Sequence, residues 1–424
     1  MYLKYKLNNG ITVVMEEMPY MQSASIGILI NNGSVNEKKE INGVSHFIEH
    51  MLFKGTDKRS AKEISETIDN IGGQLNAFTD KEYTCFYSKV LSCHISIAID
   101  VLSDMMINSK FLEEDMEREK KVISEEINMY LDSPEDAVYD LLYETIYKDT
   151  PLSLSVLGTE DSLNSLSREG IVDYYHKYYN PENMVISVAG NIKSKEIIKI
   201  LEEKFGGMTN EKKGQAHLIQ EPLNFNDIKG MVKKTEQLNF CIGMEGVSRE
   251  SDDTYPLLIL NTALGGSSSS ILFQKIREEE GLAYTVYSTP FFHRNTGIFS
   301  IYAGLNSNNI LEFAKIIKKE IKNIKDNSIS SDDLLKLKEQ LKGSYILGLE
   351  STLSRMMELG KSQLLFEKVI TSEDVIKKID KVTLEDIKRV SENIFDFRKY
   401  DIAYVGEISK KEKIESELKN ILFI

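Results

Sequence analysis

The chain opens with alternating apolar and polar positions, the pattern of β-strands, and then changes to a helical spacing. Residues 3–8 and 11–17 alternate around Asn8-Asn9-Gly10, a hairpin signal, and 23–31 is apolar and β-branched. From residue 43 apolar positions recur every three or four residues, as on one face of a helix. The pattern predicts strands at 3–8, 11–17, 23–31, 74–79, 83–88 and 184–189, and helices at 43–54, 61–71, 94–107, 112–131, 136–146 and 168–178.

The first predicted helix, 43–54, separates its apolar and polar residues onto opposite faces. At about 100° per residue, His46, Glu49 and His50 share one arc about 100° wide. Asn42 is the predicted N-cap, and Gly55 is the predicted stop. The apolar face consists of Val44, Phe47, Ile48, Met51 and Leu52.

The polar arc of this helix has the spacing of a metal site. Histidines at i and i+4 have Cβ atoms about 5–6 Å apart, so two ring nitrogens can each reach Zn²⁺ at about 2.0–2.1 Å. His46 and His50 are therefore predicted ligands of one zinc ion per chain. Glu49 stands beside them, placed to take a proton from an attacking water, which completes the pattern H-x-x-E-H.

A third ligand must come from elsewhere, because catalytic zinc usually takes three protein ligands. On the predicted helix 112–131, Glu119, Val122 and Glu126 form one row, whereas the row through Glu125 is wholly charged and is typical of a solvated face. Glu126 also lies beside the apolar stripe of this helix. It is the predicted third ligand, and Glu119 is a candidate neighbour behind the ligands. The alternative, that these glutamates are surface charge, is disfavoured by the histidine pair.

The end of the first half recurs in the second half. Leu166–Ile192 and Val382–Ile408 align without a gap at an offset of 216 residues. The chain is therefore expected to be α+β, with two homologous α/β-sandwich halves related by internal duplication, each a mostly antiparallel sheet with helices packed on it. We expect a zinc-binding domain at 1–213, a linker at 214–231 and a homologous domain at 232–424.

The second copy does not repeat the metal helix. The equivalent segment, near Tyr255 to Gly266, contains no histidine. The metal chemistry is therefore expected in the first copy alone.

Composition narrows the classes of partner and compartment. The 424 residues are 41% hydrophobic, and 52 basic against 66 acidic residues give a net charge of −14. This charge disfavours nucleic acid and anionic membranes and suits cationic or extended peptides. The start lacks an export signal, and no apolar run is long enough to span a membrane. Three cysteines without ligand spacing, Cys85, Cys93 and Cys241, favour reduced packing thiols, so a cytoplasmic location is expected.

These motifs carry a family resemblance. The run from His46 to Thr56, followed 76 residues after His50 by Glu126 within Lys-Val-Ile-Ser-Glu-Glu-Ile, resembles the inverzincin, or pitrilysin-type, zinc metallopeptidases. It is most similar to the short branch that includes the mitochondrial processing peptidase and its bacterial relatives. Gly72–Thr84 is similar to the family's strand beside the metal, and Leu272–Tyr284 to its C-terminal arginine/tyrosine motif.

The resemblance implies a role for each matching residue. His46, His50 and Glu126 would hold Zn²⁺, and Glu49 would activate the water that attacks the scissile carbonyl.

The resemblance also implies how substrate binds. The strand with Asn76, Ala77 and Phe78 would take extended peptide as an added strand. From the second half, Arg277 and Tyr284 would contact the substrate or the developing oxyanion.

A zinc-dependent endopeptidase that hydrolyses short or unfolded peptides in a closed chamber is therefore expected. In the short branch two chains form a clamshell around that chamber. Because this chain has both the H-x-x-E-H and the arginine/tyrosine motif, a homodimer is favoured over an obligate heterodimer. The main alternative is a catalytically silent peptide-binding or structural partner subunit of the same fold. A small-molecule zinc hydrolase is disfavoured by the duplicated architecture.

Overall fold

The structure is a computed structural model that describes residues 2–209, 225–327 and 329–423. The predicted linker, 214–231, lies outside the described residues up to residue 224, and its end, Ile228–Met231, forms a strand. The domain boundaries at 1–213 and 232–424 stay a prediction.

The described residues form two sheets and many helices. The strands are β1 Tyr2–Lys6, β2 Thr12–Glu17, β3 Ser23–Ile30, β4 Gln74–Thr79, β5 Thr84–Leu91, β6 Met184–Gly190, β7 Ile228–Met231, β8 Leu238–Glu245, β9 Ala283–Phe292, β10 Gly297–Leu305 and β11 Tyr400–Val405. The helices of the first half are α1 Val44–Leu52, α2 Ala61–Asp69, α3 Ile95–Asn108, α4 Glu113–Asp132, α5 Pro134–Ile146, α6 Glu160–Ser165, α7 Arg168–Tyr178 and α8 Ser194–Phe205. Those of the second half are α9 Thr254–Leu264, α10 Ile310–Asn327, α11 Ser331–Gly348, α12 Thr352–Phe366, α13 Ser372–Lys381, α14 Leu384–Ile394 and α15 Lys411–Leu422.

The two sheets have the same strand order, apart from the extra edge strand β1. In the described residues the first sheet runs β1-β2-β6-β3-β5-β4 and the second β7-β11-β8-β10-β9. The pairs β2–β6 and β7–β11 are parallel, and the remaining pairs are antiparallel. The prediction of two homologous α/β halves with mostly antiparallel sheets is confirmed.

The repeat seen in the sequence ends each half in the same way. Helices α7 and α14 begin and end 216 residues apart, and so do their N-caps, Ser167 and Thr383. Each cap side chain accepts a hydrogen bond from a backbone N–H of the first turn, which fixes where the helix begins.

Each compact unit of the fold includes a helix from the other half of the chain. The first unit includes Ile346–Thr371 together with the sheet β1–β6, and α12 packs there on β3 and β6. The second unit includes Asn128–Ser153, and α5 packs there on β8 and β11. The sheets are therefore covered by helices that are distant in sequence.

The first unit buries strand β3 on both faces. One face lies against a core that includes residues of α1, α3 and α7, and the other faces α12. Cys85 and Cys241 are buried as expected, but Cys93 is exposed, so the prediction of packing thiols is wrong for it. Among the described residues, no helix combines the length and apolar character needed to cross a membrane.

Candidate metal centre

Helix α1 begins at Gly43, which has a left-handed backbone with φ 90°. The carboxylate of Glu37, buried in the loop before the helix, accepts hydrogen bonds from the backbone N–H of Gly43 at 2.6 Å and of Ser45 at 2.8 Å. The predicted N-cap, Asn42, is therefore wrong. Its amide donates to Glu37 at 2.9 Å and to the carbonyl of Ser155 at 2.9 Å. A buried carboxylate five positions earlier takes the capping role, which suits the positive end of the helix dipole.

The two faces of α1 match the predicted division. Val44, Phe47 and Met51 are buried in the core of the first unit. On the other face, His46 is 6% exposed. Glu49 and His50 are partly buried. The two imidazole rings lie edge to face, with centroids 4.6 Å apart.

Glu126 on α4 meets both histidines. Its Oε2 lies 3.4 Å from His50 Nε2 and 3.7 Å from His46 Nε2, and the three candidate ligand atoms all lie within 4.8 Å of one another. Ligand atoms about 2.0–2.1 Å from a tetrahedral zinc ion stand roughly 3.4 Å from each other. Two nitrogens and a carboxylate oxygen at these separations therefore fit Zn²⁺.

Glu119, seven residues before Glu126 on α4, lies behind the ligands. Its Oε2 is 3.0 Å from Nδ1 of His50, and its Oε1 is 2.6 Å from Nζ of Lys54. Glu119 is buried, whereas the Glu126 side chain is 42% exposed. The contact with Nδ1 turns Nε2 of His50 towards Glu126, which is the arrangement of a carboxylate that orients a metal-binding histidine.

The charges of this cluster prepare it for a cation. Burial and the neighbouring His50 lower the pKa of His46 to about 4, although Glu126 acts in the opposite direction. Burial also disfavours charge on His50, but its hydrogen bonds to Glu119 and Glu126 outweigh burial and raise its pKa to about 9. A proton therefore stays on His50 at neutral pH and must leave when a metal binds.

Glu49 is held from strand β4. The hydroxyl of Thr79 donates a hydrogen bond of 2.5 Å to Glu49 Oε2. Burial raises the pKa of Glu49, and the hydrogen bond from Thr79 partly offsets this effect. Thr79 was not predicted from the sequence. Strand alternation could have identified it, because it shares a face of β4 with Ala77 and follows Ala77 by two residues.

Strand β4 itself is an edge strand. Among the described residues it pairs only with β5, so its other backbone edge is open. Asn76 is exposed, and its Oδ1 accepts from the backbone N–H of Ala77 at 2.8 Å. Phe78 packs edge to face against Tyr83 with ring centroids 5.6 Å apart.

Arg277 and Tyr284 belong to the second unit and meet each other there. Arg277 lies on a π-helix, Phe273–Glu279, and Tyr284 follows near the start of β9. The guanidinium carbon of Arg277 is 4.8 Å from the ring centroids of both Phe273 and Tyr284. Tyr284 is 70% exposed, so its hydroxyl is accessible.

Comparison with known protein families places these features in a class. Residues 12–160 match the family described as "Insulinase (Peptidase family M16)", and residues 165–341 match "Peptidase M16 inactive domain". The zinc protease YmxG of Bacillus subtilis is 43% identical over 93% of this chain and 96% of its own length. A zinc protease of Streptomyces coelicolor is 37% identical over 96% of this chain and 90% of its own length.

Solved structures agree on the fold. A protease from Helicobacter pylori superimposes with a TM-score of 0.90 at 22% identity, covering 96% of this chain and 99% of that one. The fold and the relatives define a zinc metallopeptidase of two homologous halves. The chain belongs to peptidase family M16. The match of the second half to an inactive domain agrees with a helix α9 that carries no histidine.

Proposed function

We propose that the chain is a zinc-dependent endopeptidase that hydrolyses short or unfolded peptides. The observation that carries the proposal is the convergence of His46 Nε2, His50 Nε2 and Glu126 Oε2 at distances that suit one zinc ion, with Glu49 next to them on α1. When bound, Zn²⁺ supplies a Lewis acid for the scissile carbonyl and lowers the pKa of water.

The residues of the first unit have distinct roles in this proposal. His46, His50 and Glu126 hold the metal, and Glu119 keeps His50 oriented through Nδ1. Glu49 is the general base, because its carboxylate lies beside the ligands without being one of the three grouped donor atoms. It accepts the proton of the attacking water and then passes it to the leaving amine.

Substrate binding follows from the open edge of β4. An extended peptide that adds to this edge is held by main-chain hydrogen bonds, with little demand on its sequence. Asn76, Ala77 and Phe78 would be the neighbours of that peptide. Because strand addition needs an extended backbone, a stably folded protein is a poor substrate. Arg277 and Tyr284 are proposed to contact the substrate as well.

The proposal extends to assembly and location. We infer that two copies of the chain enclose the chamber as a homodimer, since both motifs are present in one chain. The expected site is the cytoplasm.

The alternative of a catalytically silent partner subunit is disfavoured by an intact set of ligands and base. The test compares Glu49→Gln, His50→Ala and a control on the exposed surface of α2, Glu66→Gln. Each purified protein is assayed for zinc content and for cleavage of a flexible peptide library by mass spectrometry. We expect Glu49→Gln to keep zinc and lose turnover by roughly 10²–10⁴-fold. His50→Ala should lose both, and Glu66→Gln neither. A zinc-loaded wild-type chain that cleaves no peptide would support the silent alternative.

A further inference from the structure

The contact between Thr79 and Glu49 joins two elements that have separate roles in the proposed reaction. Thr79 is the last residue of β4, the edge strand proposed to bind peptide, and Glu49 lies on the metal helix α1. Helix α1 packs against β4, and the Thr79 hydroxyl reaches Glu49 Oε2 at 2.5 Å. Both side chains are partly buried, so water competes weakly for this hydrogen bond.

The backbone around Thr79 is held from several sides. Thr79 pairs with Thr84 in the β4–β5 ladder, and the following turn is closed by a hydrogen bond from Asp80 N–H to the carbonyl of Tyr83 at 2.9 Å. Gly33 packs so tightly on this turn that a Cβ there would lie 2.2 Å from the carbonyl oxygen of Asp80. The Thr84 hydroxyl in turn donates to the carbonyl of Asn32 at 2.9 Å. Thr79 therefore presents its hydroxyl from a fixed position.

We propose that Thr79 is a positioning residue for the base Glu49. A glutamate side chain has three rotatable bonds, and ordering it has an entropic cost. The Thr79 hydrogen bond fixes Oε2, so that the other carboxylate oxygen, Oε1, remains to accept a proton from water. This inference rests on the proposed function. It adds that the strand which binds the peptide also holds the base, so that backbone and base keep one geometry.

A positioning role predicts an effect on turnover more than on binding. Thr79→Val keeps the shape of the side chain but removes the donor. We expect kcat to fall about 10–100-fold, the usual range for loss of a group that orients a reacting residue. KM should stay within about twofold, because the backbone edge of β4 is unchanged. Zinc content and melting temperature should match the wild type.

Two further variants separate the hydroxyl from the packing. Thr79→Ser retains the donor and should recover most of the kcat lost in Thr79→Val. Thr67→Val, which removes a hydroxyl bonded to the Glu63 carbonyl on the exposed helix α2, is the matched control and should behave as wild type. In a Glu49→Gln background, Thr79→Val should lower residual turnover by less than twofold, because the group that it positions is gone.

The outcomes distinguish this inference from the proposed function. A wild-type chain that cleaves no peptide when loaded with zinc contradicts the proposed function. If the wild type cleaves and Glu49→Gln does not, but Thr79→Val has wild-type kcat, the positioning role alone is wrong. The positioning role is also wrong if Thr79→Val changes only KM. Should Thr79→Val fold poorly, Thr79→Ala is compared with Thr79→Ser, and equal kcat for these two overturns the inference.

Discussion

Ser25 on β3 and Thr352 on α12 share a buried hydrogen bond of 2.9 Å between their hydroxyls, although 327 residues separate them. Met356, one turn further along α12, accepts at its carbonyl from the hydroxyl of Ser187 at 2.7 Å. A Cβ at Gly27 would lie 2.4 Å from Met356 Sδ, so the helix approaches the strand as closely as glycine permits. The second half of the chain thus provides part of the core of the first unit.

The first prediction is that residues 1–213 do not form a stable domain alone. Without α12, Leu29 and its neighbours on that face of the sheet lose their cover, at about 1.5–3 kcal/mol for each large apolar side chain. We expect the fragment to show no cooperative thermal transition by circular dichroism. The same fragment with 346–371 attached through a flexible linker should regain one.

A control for this prediction is Met356→Ala in the full chain. Met356 is fully buried, so the substitution should lower the free energy of unfolding by about 2–5 kcal/mol. A fragment 1–213 that melts as cooperatively as the full chain would show that α12 is dispensable.

The contribution of α12 explains which parts of the structure the sequence could predict. Strand and helix periods identify the buried face of each element, which was enough for β3, α1 and the Glu119–Glu126 row. They do not identify the partner of that face, so the positions of α5 and α12 could not be predicted. The capping of α1 by Glu37 was missed for a similar reason. Local capping rules look at the residue next to the helix, and Glu37 reaches Gly43 only after the loop has folded back.

The second prediction concerns the third metal ligand. Glu126→Gln should weaken zinc retention in a chelator titration by at least tenfold, because a neutral amide replaces the carboxylate next to His46 and His50. Glu125→Gln is the matched control, since Glu125 is exposed on the neighbouring row. Zinc content is read by elemental analysis after each chelator step. Equal retention in the two variants would remove Glu126 from the ligand set.

The third prediction is a pH dependence of stability that comes from Asp401 on β11. Asp401 is fully buried; Oδ1 accepts from the backbone N–H of Asp227 at 3.0 Å, and Oδ2 has no partner among the described residues. Burial raises the pKa of Asp401 from 3.8 to about 7. The folded state therefore binds a proton that the unfolded state has released. The stabilisation is complete below pH 3.8 and is lost as the pH rises through 7.

The measurement for this prediction compares Asp401→Asn with the wild type by urea unfolding between pH 4 and 8. The difference in free energy of unfolding should shift in favour of the variant by up to about 1.4 kcal/mol per pH unit, and level off above pH 7. Asp104 is the control with the opposite sign. Burial would raise its pKa, but hydrogen bonds from Thr56, Asn108 and Arg59 outweigh burial and lower it. Asp104→Asn should therefore destabilise more at neutral pH than in acid.

The last prediction concerns the role of the Arg277–Tyr284 stack, given that the proposed ligands and base all lie in the first half. Tyr284→Phe keeps the ring that stacks on Arg277 and removes only the exposed hydroxyl. If that hydroxyl contacts the substrate carbonyl as proposed, kcat/KM should fall by about 10²–10³, the range for losing one donor to a developing oxyanion.

Phe273→Leu separates the stack from the hydroxyl. It removes one of the two rings over Arg277, an interaction of about 0.5–1 kcal/mol at an exposed site, so a loss of no more than about fivefold is expected. Zinc content should be unchanged in both variants, because neither residue belongs to the grouped metal donors. A Tyr284→Phe variant with wild-type kcat/KM, combined with a large loss in Phe273→Leu, would reverse the assignment. The π-helix would then act by placing Arg277, and the Tyr284 ring would be the part that matters.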